Sequence, residues 1–296
     1  MRRVVWCAAL AALAAAHASA QAPGSQIYLA PLTRINDSLA VGTPVNITNR
    51  PGYNNQPAFL PDSRSILFTV IGTDRTADIW RYDLATRQAA RVTRTPESEY
   101  SATVMPGGRR FSVIRVEADS TQRLWSFAMD GTDPRLVLPA LKPVGYHDWL
   151  DSTRVIAYVL GTPSTLHLTN VDGTGDEIRA TNIGRSLHHL ALRPGYSFTQ
   201  RDSSGAYWIT ADDLAGLGST RLVRAPADNE FHAWTPDGML LTASAGMLLR
   251  WNSRLDESGA WLPIANLARA KLKNVSRLAV SPDGRWLAFV AEPVTP

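Results

Sequence analysis

One short element recurs along this chain: a few polar residues, a small apolar run, a Pro-Asp or Pro-Gly turn, a second apolar run, then an Ile-Trp or Leu-Trp pair and another turn. The clearest copies occupy 57–68, 231–238 and 278–289. Weaker ones occupy 103–108 and 191–195, and 148–151 is the most worn. The turns fall at Pro61, Pro106, about Leu150, Pro194, Pro236 and Pro282, and the five intervals between them average about 44 residues. That period is the length of a four-stranded propeller blade.

Each copy carries the physics of two hairpins. Proline presets φ and Asp-Gly or Gly-Gly accepts positive φ, so the first turn is tight without strain. Third strands are expected around Ile79-Trp80, Leu124-Trp125, Leu166-His167, Tyr207-Trp208 and Leu248-Leu249, and short outer strands at 91–93, 135–137 and 221–223. Only 262–272 offers a candidate helix. Trp80, Trp125, Trp149, Trp208, Trp234 and Trp286 recur at repeat positions and read as packing between blades. Trp251 and Trp261 fit less well and are expected at the surface.

Six inner strands require six blades, yet the last copy runs out after its second strand. Gln26-Ile27-Tyr28-Leu29-Ala30 resembles a third strand and Pro44-Val45-Asn46-Ile47-Thr48 a fourth, both placed ahead of the first complete blade. The fold expected is therefore all-β: a single six-bladed β-propeller over residues 21–296, its last blade completed by N-terminal strands, which closes the ring and hides its edges.

The first twenty residues read differently. Arg2 and Arg3 precede an apolar stretch, and Ala18-Ser19-Ala20 makes an A-x-A cleavage site, so residues 1–20 read as a signal peptide. Its removal takes away Cys7, the only cysteine, and leaves stability to packing alone. Beyond it no apolar run is long enough for a membrane span. A 45% apolar content excludes disorder, and a net charge of +4 is too small a field to imply nucleic acid. A periplasmic or secreted, monomeric protein is expected.

Ser281-Pro282-Asp283-Gly284-Arg285-Trp286-Leu287-Ala288-Phe289 and Thr235-Pro236-Asp237-Gly238, with the Ile-Trp and Leu-Trp third strands, resemble the WD40-like repeat of the TolB propeller family. The resemblance spans about residues 26 to 291 and implies the fold more than the function. It also extends to the propellers of prolyl-oligopeptidase-like serine peptidases. The sequence is expected to carry neither the N-terminal α/β domain of TolB nor a hydrolase domain.

Catalytic signatures are missing: there is no G-x-S-x-G, no P-loop, no H-E-x-x-H and no G-x-G-x-x-G after a strand. Histidine placement is the feature that departs from randomness. His147, His188, His189 and His232 lie at or just before inner strands of three successive blades, where the repeat gathers distant residues around one mouth of the axial channel. With Asp148 and Glu230 beside them, these imidazoles have three readings. They bind a divalent metal such as Mn, Zn or Ca through His147, His189 and His232; they bind a ligand or peptide; or they solvate a wet rim. His167 reads as a packing residue. Gln56, Glu99, Tyr100, Tyr146 and Arg277 belong to the same rim, with Asn54 and Asn55, and Arg277 either holds an anion bidentately or pairs with Glu230 or Glu99. The expected function is an exported binding module that takes an envelope protein, a peptide or a small ligand at the channel mouth and needs no cofactor. The alternative is a metal-dependent lyase or hydrolase acting on a saccharide or lactone.

Overall fold

A computed structural model describes residues 24–214, 218–256 and 259–294; the leader expected at 1–20 lies outside them. Six antiparallel sheets form the ring. Blade 1 comprises Asn54–Phe59, Ser65–Ile71, Ala77–Asp83 and Gln88–Arg91 in that spatial order. Blades 2 to 5 repeat the pattern from inner strands Ser98–Val104, Val144–Trp149, Ile183–His189 and Ala233–Trp234.

Blade 6 is composite. Its inner strands are Leu272–Val280 and Trp286–Pro293, and the third is Gln26–Ile35. Tyr28 lies opposite Phe289 in register, the two rings 5.8 Å apart and nearly parallel. The outer edge is split, which the sequence does not announce: Ser38–Val41 pairs with the far half of Gln26–Ile35, and Val45–Asn46 pairs with Tyr28 and Leu29. Arg34, on the hairpin that results, reaches Asp237 of blade 5 at 2.6 Å and ties the closing blade to its neighbour.

The core is divided among the seams. A propeller sheet has apolar neighbours on both faces, so its central strands read as nearly unbroken apolar runs rather than alternating ones. On Ser65–Ile71, Ile66 and Phe68 pack toward blade 6 while Leu67 packs toward blade 2. Leu287 and Phe289 face blade 5, and Ala288 and Val290 between them face blade 1. Each of the six seams holds one such cluster. Trp149 belongs to the seam between blades 2 and 3, as its repeat position implies. Trp251 does not follow the expectation: it is buried against Ile209, Val223 and Leu240, because its strand is central in blade 5 and turns that ring into the seam with blade 4. The segment 262–272 is also not a helix; it forms the outer strand Leu262–Asn266 and a single 3-10 turn, Ala268–Ala270.

Candidate functional site: the channel mouth

The backbone bond that closes the turn after each inner strand supplies a common register. It is donated by Leu60, Met105, Leu150, Leu190, Thr235 and Ser281 in blades 1 to 6. Counted back four residues from these, Gln56, Ser101, Tyr146, Ser186, Phe231 and Arg277 occupy one equivalent position, and all six line an open axial cavity of about 530 Å³. Five of the six inner strands are bulged here. An extra residue in one strand leaves a backbone group unpaired and re-aims the side chain beside it, the usual consequence of a β-bulge. Gln56, Ser101 and Arg277 accordingly take φ values of 59°, 54° and 51°. A side chain in this left-handed region costs about 1 kcal/mol relative to ordinary backbone.

What these residues touch differs around the ring. Gln56 Oε1 accepts from the Ser101 N–H at 2.9 Å and from Thr69 Oγ1 at 2.8 Å, joining blades 1 and 2. Arg277 extends across the opening to blade 3, where it donates to the Tyr146 hydroxyl at 2.8 Å. Its guanidinium also lies 4.5 Å from the Tyr146 ring and 4.2 Å from the Phe231 ring. Such cation–π contacts fix a long side chain in place. Among the described residues Arg277 has no carboxylate partner, because both carboxylates expected for it are engaged elsewhere. Glu230 takes the Arg185 N–H at 3.0 Å and the Arg185 guanidinium through Nε at 2.6 Å. Glu99 is buried within blade 2 against Arg115 and Thr95, where desolvation pushes its carboxyl up to about 7.

The histidines do not converge. His147 and His232 share one position: both contribute to the cavity wall, but their Nε2 atoms turn to serines of the preceding blade. The Nε2 atom of His147 lies 2.6 Å from Ser112 Oγ, which also accepts from Trp149 Nε1 at 2.8 Å. His232 repeats the arrangement with Ser197 Oγ at 2.9 Å and Trp234 Nε1 at 2.8 Å. In each copy a His-x-Trp pair, on the inner strand or entering it, clasps a fully buried serine on the second strand of the preceding blade. Burial lowers the His147 pKa to about 4 and that of His232 well below its ordinary value, so both are neutral at pH 7. His188 packs edge-on against His232, the ring centroids 4.7 Å apart, and is likewise lowered to about 4. His189, mostly exposed, binds Asp148 of blade 3 through Nδ1 at 3.0 Å, and that carboxylate raises it to about 9.

The structure does not bring the three residues read as metal ligands, His147, His189 and His232, to one point. The ligating nitrogens of His147 and His232 face two different serines two blades apart, and His189 is held by a carboxylate. Among the described residues no group of three or more His, Cys, Asp or Glu is disposed to hold an ion. His167 is satisfied by Asp176 and Thr165, as a packing residue should be. Tyr100 is half-buried and stops short of the cavity. Tyr53, Arg185 and Phe231 were not singled out by sequence. Tyr53, whose phenol burial pushes up to about 12, sits in the field of Arg277, Tyr146 and Arg185. Repeat position could have found Phe231, which stands in its copy where Tyr146 stands in blade 3.

No family model matches this sequence. Solved structures similar to it share the ring. A candidate TolB from Agrobacterium tumefaciens superposes with a TM-score of 0.68 at 15% identity, covering 91% of this chain and 99% of that one. TolB from Acinetobacter baumannii gives 0.58 at 13% identity; 91% of this chain is covered, and the chain spans 64% of that protein's length. A gluconolactonase from Xanthomonas campestris gives 0.63 at 10% identity, covering 92% and 98%. At such identities the likeness is one of fold: the chain has a TolB-like propeller. No helix among the described residues is long and apolar enough to cross a membrane.

Proposed function

We propose that this chain is an exported binding module that receives a peptide, a segment of an envelope protein or a small ligand at the channel mouth. One observation carries the reading: equivalent residues from all six blades, five of them on bulged strands, line a single open cavity, three of them at a conformational cost. Strain kept where packing does not demand it is a mark of a functional surface. Export rests on the leader-like first twenty residues. The partner class rests on the cavity, which is large enough for a side chain or a short extended segment, and on the TolB neighbours, which share the ring.

The chemistry of the lining favours binding over turnover. His147 and His232 are neutral and committed to buried serines, the Arg185–Glu230 pair is closed on itself, and His189 is held by Asp148. Crosslinking tests the reading. With p-benzoylphenylalanine replacing Phe231 in one variant and Ile178 in another, the channel variant should capture a partner in whole cells and the Ile178 variant should not. Ile178 lies 61% exposed on an outer strand of blade 3. Capture through Ile178 alone would move the binding surface to the outer rim.

A further inference from the structure

The lining of the channel mouth has a charge balance that can be read group by group. Arg185 is neutralised by Glu230, and His189 by Asp148. His147 and His232 are buried, His188 is half-buried, and all three are uncharged at pH 7. Arg277 is left, one positive charge without an anion.

Arg277 is also held in advance of any ligand. Tyr146 and Phe231 pin its guanidinium by contact with their rings, and the Tyr146 hydroxyl takes one Nη2 hydrogen. The Nε and Nη1 hydrogens have no acceptor among the described residues and are not sealed from the cavity. An arginine fork offers two parallel N–H donors to a planar oxyanion, and immobilising it beforehand removes most of the rotamer entropy that binding would otherwise cost.

Building on the channel-mouth reading above, we infer that the ligand presents one carboxylate to the free edge of Arg277, with an adjoining planar or apolar group lying against Phe231 and Tyr146. A single unbalanced cation matches a monoanion better than a dianion such as phosphate, whose second charge would face the Arg185-bound Glu230 and the neutral histidines. Two sources supply this chemistry, a free small carboxylic acid and the C-terminus of a polypeptide.

The probes are benzoate against benzamide, N-acetyl-tyrosine against its primary amide, a Gly-Gly-Phe tripeptide with free or amidated C-terminus, and inorganic phosphate. Each is titrated into the full-length protein and followed by the Nε–Hε resonances of its arginines in two-dimensional NMR. The free acids should bind and shift the Arg277 resonance, and their amides should bind at least tenfold more weakly. Arg277→Gln should reduce acid binding at least tenfold and leave the amides unchanged, and Arg277→Lys, which keeps the charge and loses the fork, should fall between. Tighter binding of the tripeptide acid than of benzoate assigns the chain terminus as the source, and the reverse order assigns a small acid.

Acids and amides binding equally, with Phe231→Ala abolishing both and Arg277→Gln neither, would overturn the carboxylate assignment while the channel-mouth reading stands. Phosphate binding more tightly than every carboxylate would replace the assignment with a dianion. No resonance of Arg277 or Arg185 moving with any probe, while wild-type and variants melt at the same temperature, counts against both readings.

Discussion

Tyr146 and His147 are neighbours on one inner strand, and Phe231 and His232 are neighbours on the segment leading into another, yet the members of each pair make different contacts. The first member enters the open channel and ends in contacts to Arg277. The second is buried and ends on a buried serine of the preceding blade. The alternation of side chains along a strand is enough to separate them, and it separates two kinds of chemistry. The seam histidines are stripped of charge by burial and act through one hydrogen bond each. Arg277, which the channel residues hold, keeps its charge and leaves donors unused. A titratable residue is therefore informative about function here only once its side of the strand is known.

The largest effect expected from this contrast is acid lability. An unfolded histidine titrates near 6.5 and His147 in the fold near 4. Between those values the unfolded chain binds a proton that the folded chain refuses, so stability falls as the pH drops from about 6.5 and levels off below about 4. That difference corresponds to about 3 kcal/mol for His147 alone, and His232 and His188 act in the same direction. His189 works the other way. Its raised pKa gives stability that is complete below about 6.5 and lost as the pH rises through about 9, but its side chain is 62% exposed and water screens the pair. Urea midpoints measured from pH 7.5 to 4 should decline with a slope steeper than one proton, and in a His147→Leu variant the slope should shrink. A flat profile would mean that the imidazoles are not sealed in the seams.

Next in size is removal of a seam serine. Ser112→Ala leaves Trp149 Nε1 and His147 Nε2 buried without partners, at a cost of about 2 kcal/mol, and Ser197→Ala should do the same to Trp234 and His232. Blade 4 shows that the clasp is replaceable as a unit, since Leu187 holds the corresponding position and packs in an apolar cluster. The combination Ser112→Ala, His147→Leu, Trp149→Phe should then recover most of the loss in thermal denaturation. Failure of the triple variant to recover would give the serine a role beyond pairing with these two rings.

Much of the fold was legible because its signals are local. Pro-Asp-Gly chemistry marks a tight turn within four residues, and counting strands against the period was enough to place Tyr28 and Phe289 in one sheet. The site was legible only in part, for two physical reasons. A bulge shifts the side-chain alternation by one residue, so period two cannot say whether Tyr146 or His147 faces the channel. Proline is also an unsafe anchor. Pro61, Pro106, Pro236 and Pro282 each follow the turn-closing donor directly, whereas Pro194 stands four residues after Leu190. Aligned on Pro194, His189 and His188 stand five and six residues back, level with the channel residue Phe231 and its neighbour Glu230; aligned on the hydrogen bond they fall with Trp149 and Asp148. Arg277 and Gln56 survived the error because their own turns begin with proline in the usual place.

The smallest expected effect tests whether the channel positions are strained at all. Ser101 holds φ at 54° on the bulge of blade 2, and its hydroxyl is buried without a partner. Its N–H donates to Gln56 Oε1, a bond that glycine would keep. Ser101→Gly therefore relieves about 1 kcal/mol of left-handed strain and removes an unsatisfied hydroxyl, against about 0.5–1 kcal/mol of added freedom in the unfolded chain. A net stabilisation of up to about 1 kcal/mol should appear as a rise in melting temperature of a few degrees or less. The same substitution at Arg277 would relieve the same strain and remove the guanidinium. If Ser101→Gly instead destabilises the protein, the bulge positions are relaxed, and conformational cost can no longer be used to single out the channel lining as a functional surface.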